Sequence, residues 1–514
     1  MSHKHLLSRH KTFFFFILLS ILFAMLIMLD VNSWYYSAIG DEYAFYLFAK
    51  QIALGQISLS FFPHPGMFSI FSQQGVYNVV PVAGSIFQAL VMRVMGINHQ
   101  GWIASSVLIV LLTAWFYYLL VKDYFGEKIA LYSGIILLSS HYLWAFSHLG
   151  YWNIHVLFTP VASFFFFFRA VKRKSSFLMF FAGLFTALGF YTYFTARLTI
   201  VFLFLWCLFN PSFVWKHKVM FLTFFVGLLL LLAPFLFINK EIVVAQMLER
   251  SAVGSNEIPE QSKISYGLSN MWHSFVGFYK NESYSHFVSG SLVDPITAML
   301  FTIGLVLWVV SLRKYGFLLT CFFISLLTVG ALSPYRSIPI TRLFFLLPFL
   351  SFMAGLALER IDLFSMKKFS FAPRHFLPVM ILVTIFLFNL YRFYMQTPSK
   401  MGLSPEALAI NVLTTFTPCT SQAIVIYPFT QSLLQPALAS YKISQVRFTQ
   451  TSDELTQSDL QSSSCLVFLR KADTLTSDTK ISSALKDFKE KSFYSPAHNR
   501  EIVVFYKPPI SSIQ

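Results

Sequence analysis

Apolar residues run through this chain in long uninterrupted blocks, separated by short polar stretches. A helix needs about 20 apolar residues to cross the hydrocarbon of a bilayer, and about 17 suffice when the bilayer adapts. Blocks of that size fall at roughly 13–30, 102–121, 129–146, 152–168, 176–193, 196–210, 219–238, 296–312, 316–332, 342–358 and 376–393. The pattern predicts about eleven transmembrane helices. The first block, Phe13 to Leu29, follows a basic start but is longer than a signal-peptide core and lacks a small-residue cleavage site, so it reads as a retained helix.

Polar breaks set the orientation. With the N-terminus inside, the cytoplasmic breaks are "KDYFGEK" (122–128), "RAVKRK" (169–174), "KHK" (216–218), "RK" (313–314) and 360–374, all basic or balanced. The other side receives two large loops, 31–101 and 239–295, and the C-terminal tail. Within the first loop, Phe45, Phe48, Ala49 and Ile52 recur at helical spacing ahead of Gly55, which predicts an amphipathic helix on the membrane surface. Val79 to Met95 is apolar but interrupted by Pro81, Gly84, Gln88 and Arg93, and reads as an interfacial or re-entrant helix.

Residues 396–514 change character. Strand-like runs at 423–428, 445–450, 465–471 and 501–507 alternate with polar, helix-like stretches, so the tail reads as a small α/β domain after a membrane domain of residues 1–395. Cys419 and Cys465 each precede a predicted strand. They either pair, as an oxidising compartment allows, or stay as two buried thiols.

Composition agrees with the pattern. Of 514 residues, 56% are hydrophobic, only 12% are charged and 61 are Phe, which excludes an ordinary soluble domain. The net charge of +16 raises nucleic acid as a partner, but Lys and Arg cluster at the ends of apolar blocks, so the charge reports topology and no nucleic acid is expected. The sequence has no Gly-rich phosphate loop, HExxH or nucleophile elbow.

A few polar residues stand out. Asp41 and Glu42 sit side by side at the mouth of the first span, in a loop otherwise almost free of acids. They either open a helix as cap and dipole partner, or offer a partly desolvated carboxylate as general base toward an alcohol. Arg197, Arg336 and Arg342 fall on the non-cytoplasmic side, against the topology bias. Arg binds phosphate through a planar fork, and the plainer account is snorkelling to headgroups. His141, His148 and His155 repeat every seven residues, a metal-ligating spacing on a continuous helix. Gly150 interrupts it, which favours interfacial packing.

Taken as a set, these segments resemble the GT-C membrane glycosyltransferases, in particular the bacterial group of protein O-mannosyltransferases and lipid A aminoarabinose transferases. The segments are "GDEYAFYLFAKQIALG" (40–55), "GLFTALGFYTYFTARL" (183–198), "SLVDPITAMLFTIGL" (291–305) and "IPITRLFFLLPFLSFMAGLAL" (338–358). The resemblance covers roughly residues 10–395. It implies an all-α polytopic membrane protein of GT-C fold, with the small α/β domain appended. It also implies sugar transfer from a polyprenyl-phosphate donor to a hydroxyl of a glycan, lipid A or protein, with inversion, outside a bacterial inner membrane. By resemblance, Asp41 is the base and Glu42 its support. Arg342, with Arg197 and Arg336, holds the departing phosphate, and His64, His148, Asn153 and Tyr193 are further acceptor or donor contacts. Relatives often carry an Arg and then an acid after the third span. Here "FSHLGYWNI" offers His148 and Asn153 instead, which weakens the case for a divalent metal as cofactor. The rival readings are a transporter or flippase of a lipid-linked saccharide and a non-catalytic scaffold. Nearly every charge lies at a span end and no internal repeat is visible, against the transporter.

Overall fold

The computed structural model describes residues 3–29, 41–60, 68–69, 83–150, 154–249, 263–280, 288, 290–331, 340–368 and 375–397. In the tail it describes 408–409, 412–413, 416, 419, 423–426, 446–449, 458, 462–468, 485, 487–495 and 500–508. The chain separates into two compact units. The first holds residues 1–29, 48–283 and 288–395; the second holds 30–47, 284–287 and 396–514.

In chain order the helices are α1 (His3–Met28), α2 (Asp41–Ala53), α3 (Ala83–Met95), α4 (His99–Phe125), α5 (Glu127–Leu138), α6 (His141–His148), α7 (His155–Arg173), α8 (Ser176–Leu188) and α9 (Leu198–Phe209). They continue with α10 (Pro211–Lys216), α11 (Lys218–Glu249), α12 (Lys263–Val276), α13 (Pro295–Val310), α14 (Leu312–Ala331), α15 (Ile340–Leu343), α16 (Leu347–Lys368) and α17 (Phe376–Tyr391). Two-residue strands β1 (Leu59–Ser60) and β2 (Phe68–Ser69) pair in parallel between α2 and α3.

Among the described residues, seven helices are long and apolar enough to cross a membrane, so this is an integral membrane protein. The expected span 129–146 is two helices, α5 and α6, bent by 51°. Ser140 causes the break: its side chain accepts from the Leu143 amide as an N-cap in the middle of an apolar run. Three further expected spans are shorter apolar helices, at Ser176–Tyr191, Phe194–Phe209 and Pro295–Val310. Sixteen residues of α13 rise about 24 Å, short of a hydrocarbon core of about 30 Å. Among the described residues seven helices reach crossing length, or eight with the bent pair as one span, so eleven full-length crossings are not shown, although each predicted block contains helix. α11 also runs past the predicted end at 238 to Glu249, because "EIVVAQMLE" contains no breaker.

Packing in the helical unit relies on close backbone approach. A Cβ on Gly183 of α8 would fall 2.0 Å from the Phe224 carbonyl oxygen of α11, and one on Gly227 of α11 would fall 2.2 Å from the Phe180 carbonyl oxygen of α8. The two helices thus meet glycine to backbone in both directions, as small residues permit in membranes. Phe167, Trp206, Phe221 and Phe224 fill the space beside this crossing with edge-to-face rings.

The predicted first-loop helix is α2. Phe45, Phe48, Ala49 and Ile52 are all buried, and the helix stops before Gly55. Arg93 of α3 closes its end, donating to the carbonyls of Ala53 at 3.0 Å and Ile52 at 3.2 Å. At 13 residues α3 is too short to cross a bilayer, in keeping with the reading as an interfacial or re-entrant segment.

The tail forms a five-stranded sheet of β3 (Ala423–Ile426), β4 (Val446–Thr449), β5 (Cys465–Phe468), β6 (Lys489–Ser495) and β7 (Arg500–Tyr506), in the order β4-β3-β5-β7-β6. β3 pairs in parallel with β4 and β5, while β7 pairs antiparallel with β5 and β6. Four of these strands match the predicted runs. β6 does not, because "KEKSFYS" is a polar edge strand without an apolar face. Cys419 and Cys465 are joined by a disulfide.

Candidate functional site

The turn between α8 and α9 gathers two of the arginines. Phe190 and Tyr191 lie in a 3-10 turn at Gly189–Tyr191, and a second turn covers Phe194–Arg197. Arg197 is 9% exposed, and its guanidinium sits over the rings of Phe235, at 5.5 Å, and Phe190, at 5.9 Å. Arg342, on the single-turn α15, sits over Phe194 at 5.4 Å. Tyr193 packs beside the same ring, with centroids 4.5 Å apart. One 3-10 turn therefore carries Arg197 at its end and receives Arg342 and Tyr193 on its first residue. A guanidinium held on an aromatic face still donates hydrogen bonds in its own plane, the geometry that suits a phosphate.

An apolar cavity of about 340 Å³ adjoins this turn. Its walls come from α3, α4, α7, α11 and the Gly189–Tyr191 turn, and include Phe87, Leu112, His155, Phe158, Tyr191 and Leu231. Tyr191 links it to the arginine: its ring meets Phe235 at 5.0 Å, and Phe235 carries Arg197. A second apolar cavity, about 190 Å³, lies between α4, α7, α14 and α16.

A hydrogen-bonded chain ties α13 to its neighbours. Asp294 Oδ1 accepts from the amides of Ile296 and Thr297, capping α13, with Pro295 at the first helical position. Its Oδ2 accepts from Asn389 Nδ2 of α17 at 2.9 Å, and Asn389 Oδ1 meets Nδ1 of His141 of α6 at 2.8 Å. Tyr142 donates to the Gly290 carbonyl at 2.9 Å, which fixes the segment just before α13.

A sequence model of the family described as dolichyl-phosphate-mannose-protein mannosyltransferase matches residues 79–238. Among solved structures, ArnT from Cupriavidus metallidurans bound to undecaprenyl phosphate is similar over 95% of this chain and 97% of its own, at 11% identity and a TM-score of 0.53. The chain has a GT-C fold. The oligosaccharyltransferase AglB from Archaeoglobus fulgidus, in complex with an inhibitory peptide and a dolichol-phosphate, is similar over 96% of this chain and 74% of its own, at 11% identity and a TM-score of 0.48. No curated protein matches in sequence.

The family match contains Arg197, Tyr193 and the larger cavity, and ends before Arg342. Of the expected site residues, Arg342 and Tyr193 share the ring of Phe194, and Arg197 ends the same 3-10 turn. His148 is 1% exposed at the end of α6, edge-on to Phe393 at 5.5 Å, and does not line the larger cavity. Asp41 and Glu42 open α2, and their side chains lie outside the described residues, as do Arg336, His64 and Asn153 altogether. The seven-residue histidine spacing does not make one face: α6 ends at His148 and α7 begins at His155. Between them Gly150 takes φ +60°, where a Cβ would lie 2.7 Å from the Trp102 ring. Among the described residues no three His, Cys, Asp or Glu side chains gather as metal ligands.

Sequence reasoning missed His155 as a cavity residue and Asn389 as the partner of Asp294. His155 was visible only as one of three regularly spaced histidines. Asn389 was a lone amide in the last apolar block, a signal that a polar group inside a span offers.

Proposed function

We propose that this GT-C protein moves a sugar from a polyprenyl-phosphate donor to an acceptor hydroxyl, on the non-cytoplasmic face of a bacterial inner membrane. The observation that carries this reading is the docking of Arg342 on Phe194 in the turn that ends at Arg197, with an apolar cavity along the neighbouring Gly189–Tyr191 turn. Two fixed cations next to a slot for hydrocarbon match the two ends of a lipid phosphate. The likeness in fold to ArnT, solved with undecaprenyl phosphate, points the same way. Basic breaks on the opposite side of the expected topology support the orientation.

The chemistry follows from charge. The acceptor oxygen attacks the anomeric carbon as the bond from that carbon to the phosphate oxygen breaks, and the electron pair leaves with the phosphate. Arg197 and Arg342 stabilise the charge that grows there. Asp41 takes the proton of the acceptor hydroxyl and Glu42 orients it. Attack opposite the leaving group inverts the anomeric centre. The acceptor is a glycan, lipid A or protein hydroxyl.

The test uses purified full-length protein in nanodiscs, a panel of polyprenyl-phosphate sugars and mass analysis of envelope acceptors. Wild type yields a glycosylated product. Asp41→Asn keeps its thermal midpoint and loses about 10²- to 10⁴-fold in turnover, the usual share of a general base. An Asp41→Asn protein with wild-type turnover removes Asp41 from the mechanism. Saccharide translocation without a covalent product replaces the transferase by a transporter.

A further inference from the structure

A slot that only sheathes hydrocarbon has no need of a buried imidazole. His155 is 5% exposed, lines the larger cavity and meets Phe87 edge-on at 5.7 Å. Its Nε2 is enclosed, with no hydrogen-bond partner among the described residues. Burying a polar nitrogen in this way costs stability, and such groups are rare unless something satisfies them. The hydroxyls around it are already committed. Thr159 Oγ1 donates to the His155 carbonyl at 3.5 Å, Thr192 Oγ1 to the Gly189 carbonyl at 2.9 Å, and Tyr191 OH to the Leu231 carbonyl at 2.6 Å.

We propose that His155 is a binding residue for a lipid phosphate, its Nε2–H donating to a phosphate oxygen while the first isoprene units of the same lipid fill the cavity. This rests on the donor reading above. The size fits: about 340 Å³ stands at the low end of ligand pockets, which run to roughly 1,000 Å³, so it takes the start of a polyprenyl chain and not the whole. The charge fits as well. Tyr191 forms part of the same wall, and through Phe235 it leads to Arg197. The imidazole thus stands in the wall of the slot on α7, and the Arg197 guanidinium lies beyond Tyr191 and Phe235 at the α8–α9 turn. A bilayer phospholipid offers the same phosphate chemistry, and the polyprenyl source follows from the donor reading above.

The experiment measures equilibrium binding of polyprenyl phosphate and of polyprenol of equal length to the full chain, in nanodiscs of phosphatidylcholine with and without phosphatidylglycerol. Wild type prefers the phosphate. His155→Phe keeps ring shape, removes the enclosed nitrogen and weakens phosphate binding about tenfold (about 1.4 kcal/mol). It leaves polyprenol within about twofold and raises the thermal midpoint of the lipid-free protein. His155→Gln, which restores a donor, recovers part of the preference. Equal loss for both lipids, or no loss for either, overturns the proposal, as does phosphatidylglycerol competing as well as polyprenyl phosphate. If wild type binds no polyprenyl phosphate, the donor reading falls together with it. If wild type binds and turns over while His155→Phe is unchanged, only the role of His155 falls.

Discussion

Removing Asp294 or Asn389 should destabilise the protein non-additively, and the size of the coupling follows from the bonds. The two side chains are 3% and 1% exposed. Asp294→Ala deletes the cap that holds the amides of Ile296 and Thr297, worth about 1 kcal/mol. It also strands one N–H of Asn389 in the interior, at about 1–3 kcal/mol, for a total of about 2–4 kcal/mol. Asn389→Ala strands Asp294 Oδ2 and the partner nitrogen of His141, a loss of similar size. The double variant loses both groups at once and escapes the penalty of stranding one against the other, while His141 stays unpaired as in Asn389→Ala, so it should be about 1–3 kcal/mol better than the sum of the singles. Interhelical hydrogen bonds in membranes average only about 0.6 kcal/mol in double-mutant cycles, so a coupling above about 1 kcal/mol marks this chain as unusually enclosed. The assay is a double-mutant cycle of unfolding free energies in mixed micelles. Additivity within about 0.5 kcal/mol would refute the reasoning.

Gly183→Val should cost about 3 kcal/mol or more, since the new Cβ meets main chain rather than a movable side chain; unfolding in mixed micelles reads it. Gly316→Ala, with open space around its Cβ, is the control and should be neutral or gain up to about 1 kcal/mol from helix propensity. Arg197→Lys and Arg342→Lys keep the charge and lose the planar fork, so each should weaken polyprenyl-phosphate binding about tenfold. Wild-type affinity in both variants, measured by lipid titration, would take the arginines out of the donor site.

Much of the fold was legible because hydropathy and helical spacing report burial directly. The face of Phe45, Phe48, Ala49 and Ile52, the break at Gly150 and the Asp294-Pro295 helix start are local signals with local causes. The bend at Ser140 was hidden, since a serine cap hardly alters the mean hydropathy of an apolar block. β6 was hidden because an edge strand need not alternate. In the site, Arg197 and Arg342 were conspicuous as cations on the wrong side of the topology. The docking of Arg342 on Phe194, in the turn that ends at Arg197, is tertiary: 145 positions separate the two arginines, and no spacing in the chain announces it. His155 and Asn389 show the same limit. Each is an ordinary residue in an apolar block until folding gives it neighbours.

The cross-link in the tail binds that unit to its surroundings. Among the described residues, one apolar cluster of the sheet has Ile424, Leu466 and Phe468 at its centre. Tying Cys419 to Cys465 across 46 residues shrinks the freedom of the unfolded segment by about 4 kcal/mol in the chain-entropy account. A cytosol-like redox poise would withdraw that contribution. Reduction of this one bond therefore loosens the tail without touching the helices of the membrane unit.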